Sequence, residues 1–408
     1  MDYEKMTNAD AARNAKIVAD NMNEWRSLGS FPMPTPDKDN PNILIAGRWL
    51  ERGGTSWIIS TAGTGKTTFA TQLAICAAEG REFLGLKPCG KFNILVIQSE
   101  DSDDRVGIDR EDILAYLTAE HPEIDWSEAV NLRVHFAGYD GKVGAAFINE
   151  LDADIKKSNP RPDIIIINPL YDRVGADTSK GEIVTAFLAG GMINGVTSIG
   201  LRAVARKYGI GVIVFAHTGK PPQAQELKQW LTSDMPEYQV CGSSVITNFG
   251  RSFITMMKIP SQDGYFLFTA GKNGDGLGWR QSNGDYTRRH FAAWGDGVSS
   301  CGHGRAHYWR DVTEDEQVEL EREVLGIKPD EPSKRDHDNG TDKNAEYLAE
   351  LIRNGINAGA KPYTNDTIRK WAEKWWTKNV ARKAVKKFED VSEKRFHIGK
   401  ENGVYVLL

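Results

Sequence analysis

The rhythm of apolar and polar residues changes at about Ile43. Before it, residues 1–29 carry an amphipathic helical pattern that closes at Gly29. Residues 31–42 hold Pro32, Pro34, Pro36 and Pro41, the composition of an extended arm. Beyond Ile43 come four continuous runs rich in β-branched residues: WIIS (57–60), FNILVIQ (92–98), DIIIIN (163–168) and GVIVFAH (211–217). Runs without alternation predict strands buried on both faces, as in a parallel sheet. Helical patterns fall between them at 66–79, 104–120, 145–157 and 181–208, the last divisible into two pieces. This alternation predicts a three-layer α/β domain over 43–325. SFITMMKIP, YFLFTAGK and later short strands are expected as antiparallel additions to its sheet.

The texture changes again at 326–342, a polar stretch with proline, glycine and charges of both signs that reads as a linker. Residues 343–408 have a pattern of their own. Helices are expected at 344–354, from a Thr364 or Asn365 cap to 376, and at 378–390. RFHIGKENGVYVLL then reads as a hairpin turning at 401–403. Three helices and a hairpin outline a small winged-helix-like domain.

Composition narrows the partners. A net charge of −5 excludes a uniformly basic nucleic-acid binder but leaves room for a local basic groove. Four cysteines without paired spacing argue against a disulfide framework and for a reducing compartment. The polar start, MDYEKMTNAD, does not resemble a signal peptide, and no apolar run approaches the roughly 20 residues that span a bilayer. A cytoplasmic protein with no membrane partner is the expectation.

The clearest chemistry lies at 60–67, STAGTGKT. It follows a strand directly and opens a helix, the setting that a phosphate-binding P-loop requires. The small residues Ala62, Gly63 and Gly65 let backbone N–H groups turn toward a phosphate, and the helix adds its positive end. Candidate nucleotide-binding residues are Thr61, Ala62, Gly63, Thr64, Gly65, Lys66, Thr67 and Thr68. Lys66 would bridge the β- and γ-phosphates of ATP, and Thr67 would bind Mg²⁺ through its hydroxyl. The motif ordinarily opens with glycine. Ser60 stands there, which fits if its backbone avoids positive φ.

Three further strand ends carry candidates. VIQSED places Glu100 as a general base for the attacking water, with Asp101 second; Asp101, Asp103 and Asp104 also suit helix capping. The third strand ends at Asn168, a position where a magnesium-binding aspartate is usual. An asparagine can hold a metal-bound water but brings no charge. Either Thr67 and the phosphates hold the metal, or hydrolysis is weakened. His217 ends the fourth strand, where it would touch the γ-phosphate and report its loss, or simply cap the strand. Cys301, His303 and His307 lack a clear fourth ligand and do not predict a zinc site.

In order, STAGTGKT, IQSED, INPLYDRVGAD, AHTGK, GSSVITNFGRS and AGKNGDGLGW resemble the RecA-fold ATPases related to the plasmid RepA type of hexameric replicative DNA helicase. The resemblance spans roughly 43–280. It implies a RecA-like P-loop NTPase with a mostly parallel central sheet, hydrolysing ATP at the interfaces of a homo-oligomeric ring, a hexamer, around single-stranded DNA. By position Glu100 matches the catalytic glutamate and His217 the sensor. Lys272 sits where relatives place a cation that reaches a neighbour's γ-phosphate, with Arg251 a second candidate. Relatives often carry an arginine two places after that lysine; here the place is Gly274. DNA would meet loops 171–182 and 218–242, which offer Arg173, Lys180, Lys220 and Lys228, with Tyr171, Trp230 and Tyr238 for stacking. Between Lys361 and Lys400 basic residues outnumber acidic ones by about two to one. Arg382, Lys383 and Lys386 load one side of the third C-terminal helix, the element that would enter a major groove. A helicase of phage or mobile-element style is the leading expectation. A recombination or strand-annealing ATPase and a slow ATP-dependent switch are the alternatives.

Overall fold

The computed structural model describes residues 27–31, 33, 35–193, 195–219, 222, 230–233, 235–242, 244–302 and 304–327, and beyond them only 364, 368, 370, 388, 398–401 and 404–407. The expected N-terminal helix and the bulk of the three C-terminal helices lie outside the described residues. So do Lys220, Lys228, Arg382, Lys383 and Lys386. The chain divides into two compact units, 1–320 and 321–408.

The first unit opens with a short antiparallel pair, β1 (Ile43–Ile45) and β2 (Leu50–Glu51). Then β3 (Thr55–Ser60) leads into α1 (Lys66–Ala78), β4 (Ile94–Gln98) into α2 (Asp103–Glu120), and β5 (Val134–Ala137) into α3 (Gly144–Lys157). After β6 (Ile164–Asn168) come α4 (Leu170–Val174), α5 (Gly181–Ala189), a hairpin of β7 (Gly191–Ile193) and β8 (Val196–Ser198), and α6 (Leu201–Tyr208). The chain continues through β9 (Gly211–His217), α7 (Val245–Phe249), β10 (Ser252–Lys258), β11 (Tyr265–Ala270), β12 (Arg289–Trp294), β13 (Trp309–Asp311) and α8 (Glu314–Leu320). In the second unit β14 (Ile398–Glu401) and β15 (Val404–Leu407) pair antiparallel, as the hairpin reading requires.

Nine strands of the first unit form one sheet in the order β13-β12-β11-β10-β3-β9-β6-β4-β5. From β10 to β5 every neighbour pair is parallel, and β11 to β13 extend the sheet antiparallel. The four β-branched runs all lie in the parallel part, and both faces of each are covered. Ile58, Ile166, Ile213, Phe215 and Ile254 point into a core beneath α1 and α2. Trp57, Ile59, Ile165, Ile167, Val212 and Val214 point into the opposite core beneath α3, α5 and α6. Adjacent residues thus serve opposite layers, which is why the runs do not alternate.

One expectation changes and one gains detail. SFITMMK was expected to add an antiparallel strand, but β10 lies parallel to β3, in register Ser252 with Ser56, and is buried on both faces. The pattern at 181–208 is two helices interrupted by the β7–β8 hairpin. Gly190 enters that hairpin at φ 101°, a conformation closed to most side chains.

α1 is buried on almost every side: of its residues only Thr67 is not. Its small residues, KTTFATQLAICAA, let the sheet, α2 and the antiparallel strands all approach. Phe69 packs against Phe83, Phe268 and Trp309, with ring centroids 4.8, 5.6 and 5.8 Å away. One polar residue belongs to this core. The Gln72 amide donates to the carbonyl of Trp309 and accepts from its N–H, both at 2.8 Å, and so replaces a strand neighbour for β13. Gln72→Leu keeps the volume but strands two buried backbone groups. It is expected to cost about 2–4 kcal/mol of stability in urea unfolding; a change below about 0.5 kcal/mol would show that β13 does not depend on the pair.

Candidate active site

Three parallel neighbours, β3, β9 and β6, and next to them β4, deliver the candidate residues at their carboxyl ends. This is the edge where open α/β sheets bind ligands. Ser60, at the first position of the P-loop, ends β3 outside the left-handed region. Its buried hydroxyl lies 2.8 Å from Thr64 Oγ1, which is also 2.8 Å from the carbonyl of Thr61. The serine thus braces the loop from inside where a glycine would leave a gap. Gly63 and Gly65 take φ 72° and 80°. At Gly65 the demand is double, since a Cβ there would also collide with the ring of Trp294.

Lys66 begins α1 and is only 6% exposed. Its ammonium donates to the carbonyl of Thr61 at 3.1 Å and lies 3.2 Å from His217 Nδ1, which accepts when the imidazole is neutral. Burial holds Lys66 below lysine's ordinary value, and the negative charge of Glu100 opposes this. His217 is also held low, by burial first and by Lys66 second, with Asp172 opposing. Each charge thus opposes the other, and a Lys66 that holds the proton is matched by a neutral His217 that accepts its hydrogen bond. Entry of a phosphate would give Lys66 a stronger partner and free His217, the behaviour expected of a sensor.

Asn168 ends β6 and is 1% exposed. Its Nδ2 donates to Thr67 Oγ1 at 3.1 Å, while its Oδ1 is buried without a partner. A buried carbonyl oxygen left unpaired beside a threonine hydroxyl fits a magnesium ion with bound water: Thr67 Oγ1 as the direct ligand, Asn168 Oδ1 as acceptor for the water. Glu100 follows β4 in an exposed turn. The Gln98 side chain fixes that turn by bonding both the N–H and the carbonyl of Asp101. Ser102, rather than an aspartate, caps α2, accepting from the Arg105 N–H at 3.3 Å; Asp103 and Asp104 sit in the first turn. The Glu100 carboxyl is raised above its usual range by burial and by Asp172, then by Asp101, against Lys66.

Asp172 is a member of the site that motif reading overlooked. It lies on α4, accepts from Ser99 Oγ at 2.7 Å, and its charge acts on both Glu100 and His217. A single aspartate one helical turn past Asn168 has no motif to mark it. A second overlooked group lies behind the P-loop. Thr68, a candidate nucleotide-binding residue, donates its hydroxyl to the buried Asp109 at 2.6 Å, which leaves its backbone N–H as the group to offer a phosphate. Asp109 also meets Arg105 Nε at 3.3 Å and His307 Nδ1 at 3.0 Å. His307 is thereby a partner of an acidic network, and among the described residues no cluster could hold a metal ion through three His, Cys, Asp or Glu side chains.

Two DNA-contact expectations are corrected. Arg173 is 3% exposed, donates to the Tyr139 carbonyl at 3.0 Å and stacks over Phe147, so it is a structural cation inside the opposite core. Tyr171 lies flat against His217, ring centroids 5.6 Å apart, with its hydroxyl on the carbonyl of Cys241. Its face is already used. Lys180 and Tyr238 are exposed. Arg251 and Lys272 are not near Lys66. The Arg251 N–H donates to the Thr55 carbonyl at the start of β3, and the Lys272 carbonyl accepts from Phe253 at the start of β10. They occupy the opposite edge of the sheet, roughly 17 Å away at about 3.3 Å per strand residue.

This fold and site define a P-loop NTPase domain of RecA-like architecture. Residues 35–223 match the family model described as "AAA domain". Among solved structures, one of another protein's ATPase domain aligns at 12% identity and a TM-score of 0.39, covering 60% of this chain and 82% of that one. No curated protein matches the sequence. Among the described residues no helix is long and apolar enough to cross a membrane.

Asp172 gives the site a testable pH signature. A general base works deprotonated; if Glu100 has that role, activity is lost on acidification through its pKa, and a raised pKa brings that loss to higher pH. Asp172→Asn removes a raising influence. The acid limb of the kcat/KM profile for ATP hydrolysis is expected to move to lower pH. An unmoved limb would mean that Asp172 does not act on the base.

Proposed function

We propose that the protein is an ATP-hydrolysing motor that works on single-stranded DNA as a homo-oligomeric ring of the replicative-helicase kind. The observation carrying the ATPase part is the convergence of Lys66, Thr67, Asn168, Glu100 and His217 at the carboxyl ends of adjacent parallel strands. Backbone N–H groups of 61–67 would cradle the phosphates, with Lys66 across the β- and γ-groups. Magnesium, when bound, would neutralise phosphate charge and polarise the γ-phosphorus. Glu100 would take a proton from water as its oxygen bonds to that phosphorus and the bond to the ADP oxygen breaks. His217, freed from Lys66, would contact the γ-phosphate until it departs.

The DNA part is supported by the ordered motifs through 280 and by the exposed Lys180 and Tyr238. The ring is supported by Arg251 and Lys272, which lie too far from their own P-loop to serve it and would act on a neighbour's nucleotide. A slow ATP-dependent switch is the second reading. Asn168 favours it, because a neutral residue where a carboxylate is usual weakens the hold on the metal.

The test is ATP turnover with and without single-stranded DNA. Lys66→Ala is expected to abolish turnover. Glu100→Gln should still bind ATP while turnover falls by about 10²–10⁴-fold. Stimulation by DNA, followed by unwinding of a tailed duplex, is the expected result. Stimulation without unwinding would favour a strand-annealing ATPase. A slow rate indifferent to DNA would sink the motor reading in favour of the switch.

A further inference from the structure

Behind the P-loop, where α1 meets α2, lies a buried acid that no step of hydrolysis uses. Asp109 is 1% exposed. Its Oδ2 accepts from Thr68 Oγ1 at 2.6 Å. Its Oδ1 lies 3.3 Å from Arg105 Nε, one turn earlier on α2, and 3.0 Å from His307 Nδ1. The next acid along that face, Asp112, is committed to the loop between β12 and β13. It accepts from the Ser300 N–H at 2.6 Å, and from the Ser299 hydroxyl and the His307 N–H at 2.8 Å each. The loop is thereby fixed on α2, and His307 is held against Asp109.

Such an acid is costly in this place. Burial pushes the Asp109 carboxyl above its usual range, against the Thr68 hydrogen bond and the charges of Arg105 and His307. Its negative charge also opposes any phosphate brought to the loop in front of it. Two helices that need only touch do so as well or better through packed apolar side chains. What a carboxylate adds is direction, because a charge-assisted hydrogen bond fixes the geometry of the group that donates it. Here that group belongs to the third residue of α1. The helix makes its first hydrogen bond from the Phe69 N–H to the Gly65 carbonyl, at 3.0 Å. The N–H groups of Lys66, Thr67 and Thr68 precede it and have no partner within the helix. They are the donors that a phosphate chain needs, and Thr68 is the one whose side chain is tied from behind.

We propose that Asp109 is a positioning residue for the nucleotide: through the Thr68 hydroxyl it fixes the first turn of α1 so that the N–H groups of 66–68 face the phosphates, while Arg105 and the 299–307 loop hold Asp109 in place. This rests on the ATPase reading above. The antiparallel strands thus reach the P-loop by a second route, through His307, besides the contact of Trp294 with Gly65. Backbone donors that hold the phosphates before and during reaction give uniform binding, so disturbing them raises KM more than it lowers kcat.

The experiment measures ATP turnover, ADP binding by calorimetry and thermal unfolding on the full-length protein with magnesium. The variants are Thr68→Val, Asp109→Leu, the two combined, and Thr68→Ser. Each of the first two is expected to raise the KM for ATP and the Kd for ADP at least about tenfold, with kcat changed by less than about threefold. Each also strands a buried polar group and lowers Tm. The combined variant replaces both partners by apolar groups, so it is expected to recover most of the lost Tm while KM and Kd stay high. Thr68→Ser keeps the hydroxyl and is expected to recover most of the affinity lost in Thr68→Val. A combined variant with the KM and Kd of the wild type would show that the pair only ties α1 to α2, and would overturn the proposal. Single variants that melt lower but bind ADP as the wild type does would overturn it equally. A wild-type protein that binds no nucleotide would remove the ATPase reading, and this proposal with it; a wild type that binds, beside variants that bind as well, removes this proposal alone.

Discussion

The missing side chain at Gly65 is the constraint on which the nucleotide site rests. The residue must turn through φ 80° to bring the P-loop back over α1, and it must do so against the Trp294 ring. Trp294 in turn packs edge-on against Trp309, 5.0 Å between centroids, and Trp309 against Phe266 at 4.5 Å. The antiparallel strands β11 to β13 therefore do more than widen the sheet. They form the wall behind the loop, and Gln72 ties that wall to α1 through two hydrogen bonds. A P-loop is a backbone device, so its precision depends on what prevents the backbone from relaxing. Here aromatic packing does so from one side and the Ser60–Thr64 hydroxyl contact from the other.

Charge at the site is arranged on the same principle. Lys66 is buried with neutral partners, a carbonyl and an unprotonated imidazole, so its ammonium is poorly compensated until phosphate arrives. The acids sit further out, where Asp172 and Asp101 raise Glu100. Asn168 keeps the centre itself neutral. An aspartate in its place would add a fixed charge beside Thr67; the asparagine instead leaves the negative charge to Asp172, one turn further along on α4. The site is thus preorganised for phosphate by what is buried around Lys66 and the loop.

Much of this was legible in the chain. Four β-branched runs marked strands covered on both faces, and the strand–loop–helix setting marked the phosphate loop. What escaped had physical reasons. β5, VHFA, is a half-exposed edge strand without a continuous apolar run. β10 has the buried run of a parallel strand, but sequence spacing alone does not tell which neighbour it joins. Arg173 and Tyr171 carry the residue types of a nucleic-acid loop, yet α4 turns one into the core and lays the other on His217. Asp109 has the sequence setting of a surface charge on an amphipathic helix; only the fold brings Thr68, Arg105 and His307 around it. Side-chain direction at short helices and loops is a tertiary property, and local pattern does not encode it.

The two ends of β3 give the domain a polarity. At its carboxyl end backbone N–H groups and one buried lysine await phosphate; at its amino end stand Arg251 and Lys272. A strand of fixed length separates the two, so one phosphate chain cannot satisfy both within a single copy. Each end is nonetheless organised in advance, the first by packing around Gly65 and the second by the anchor of Lys272 on the carbonyl of Thr247.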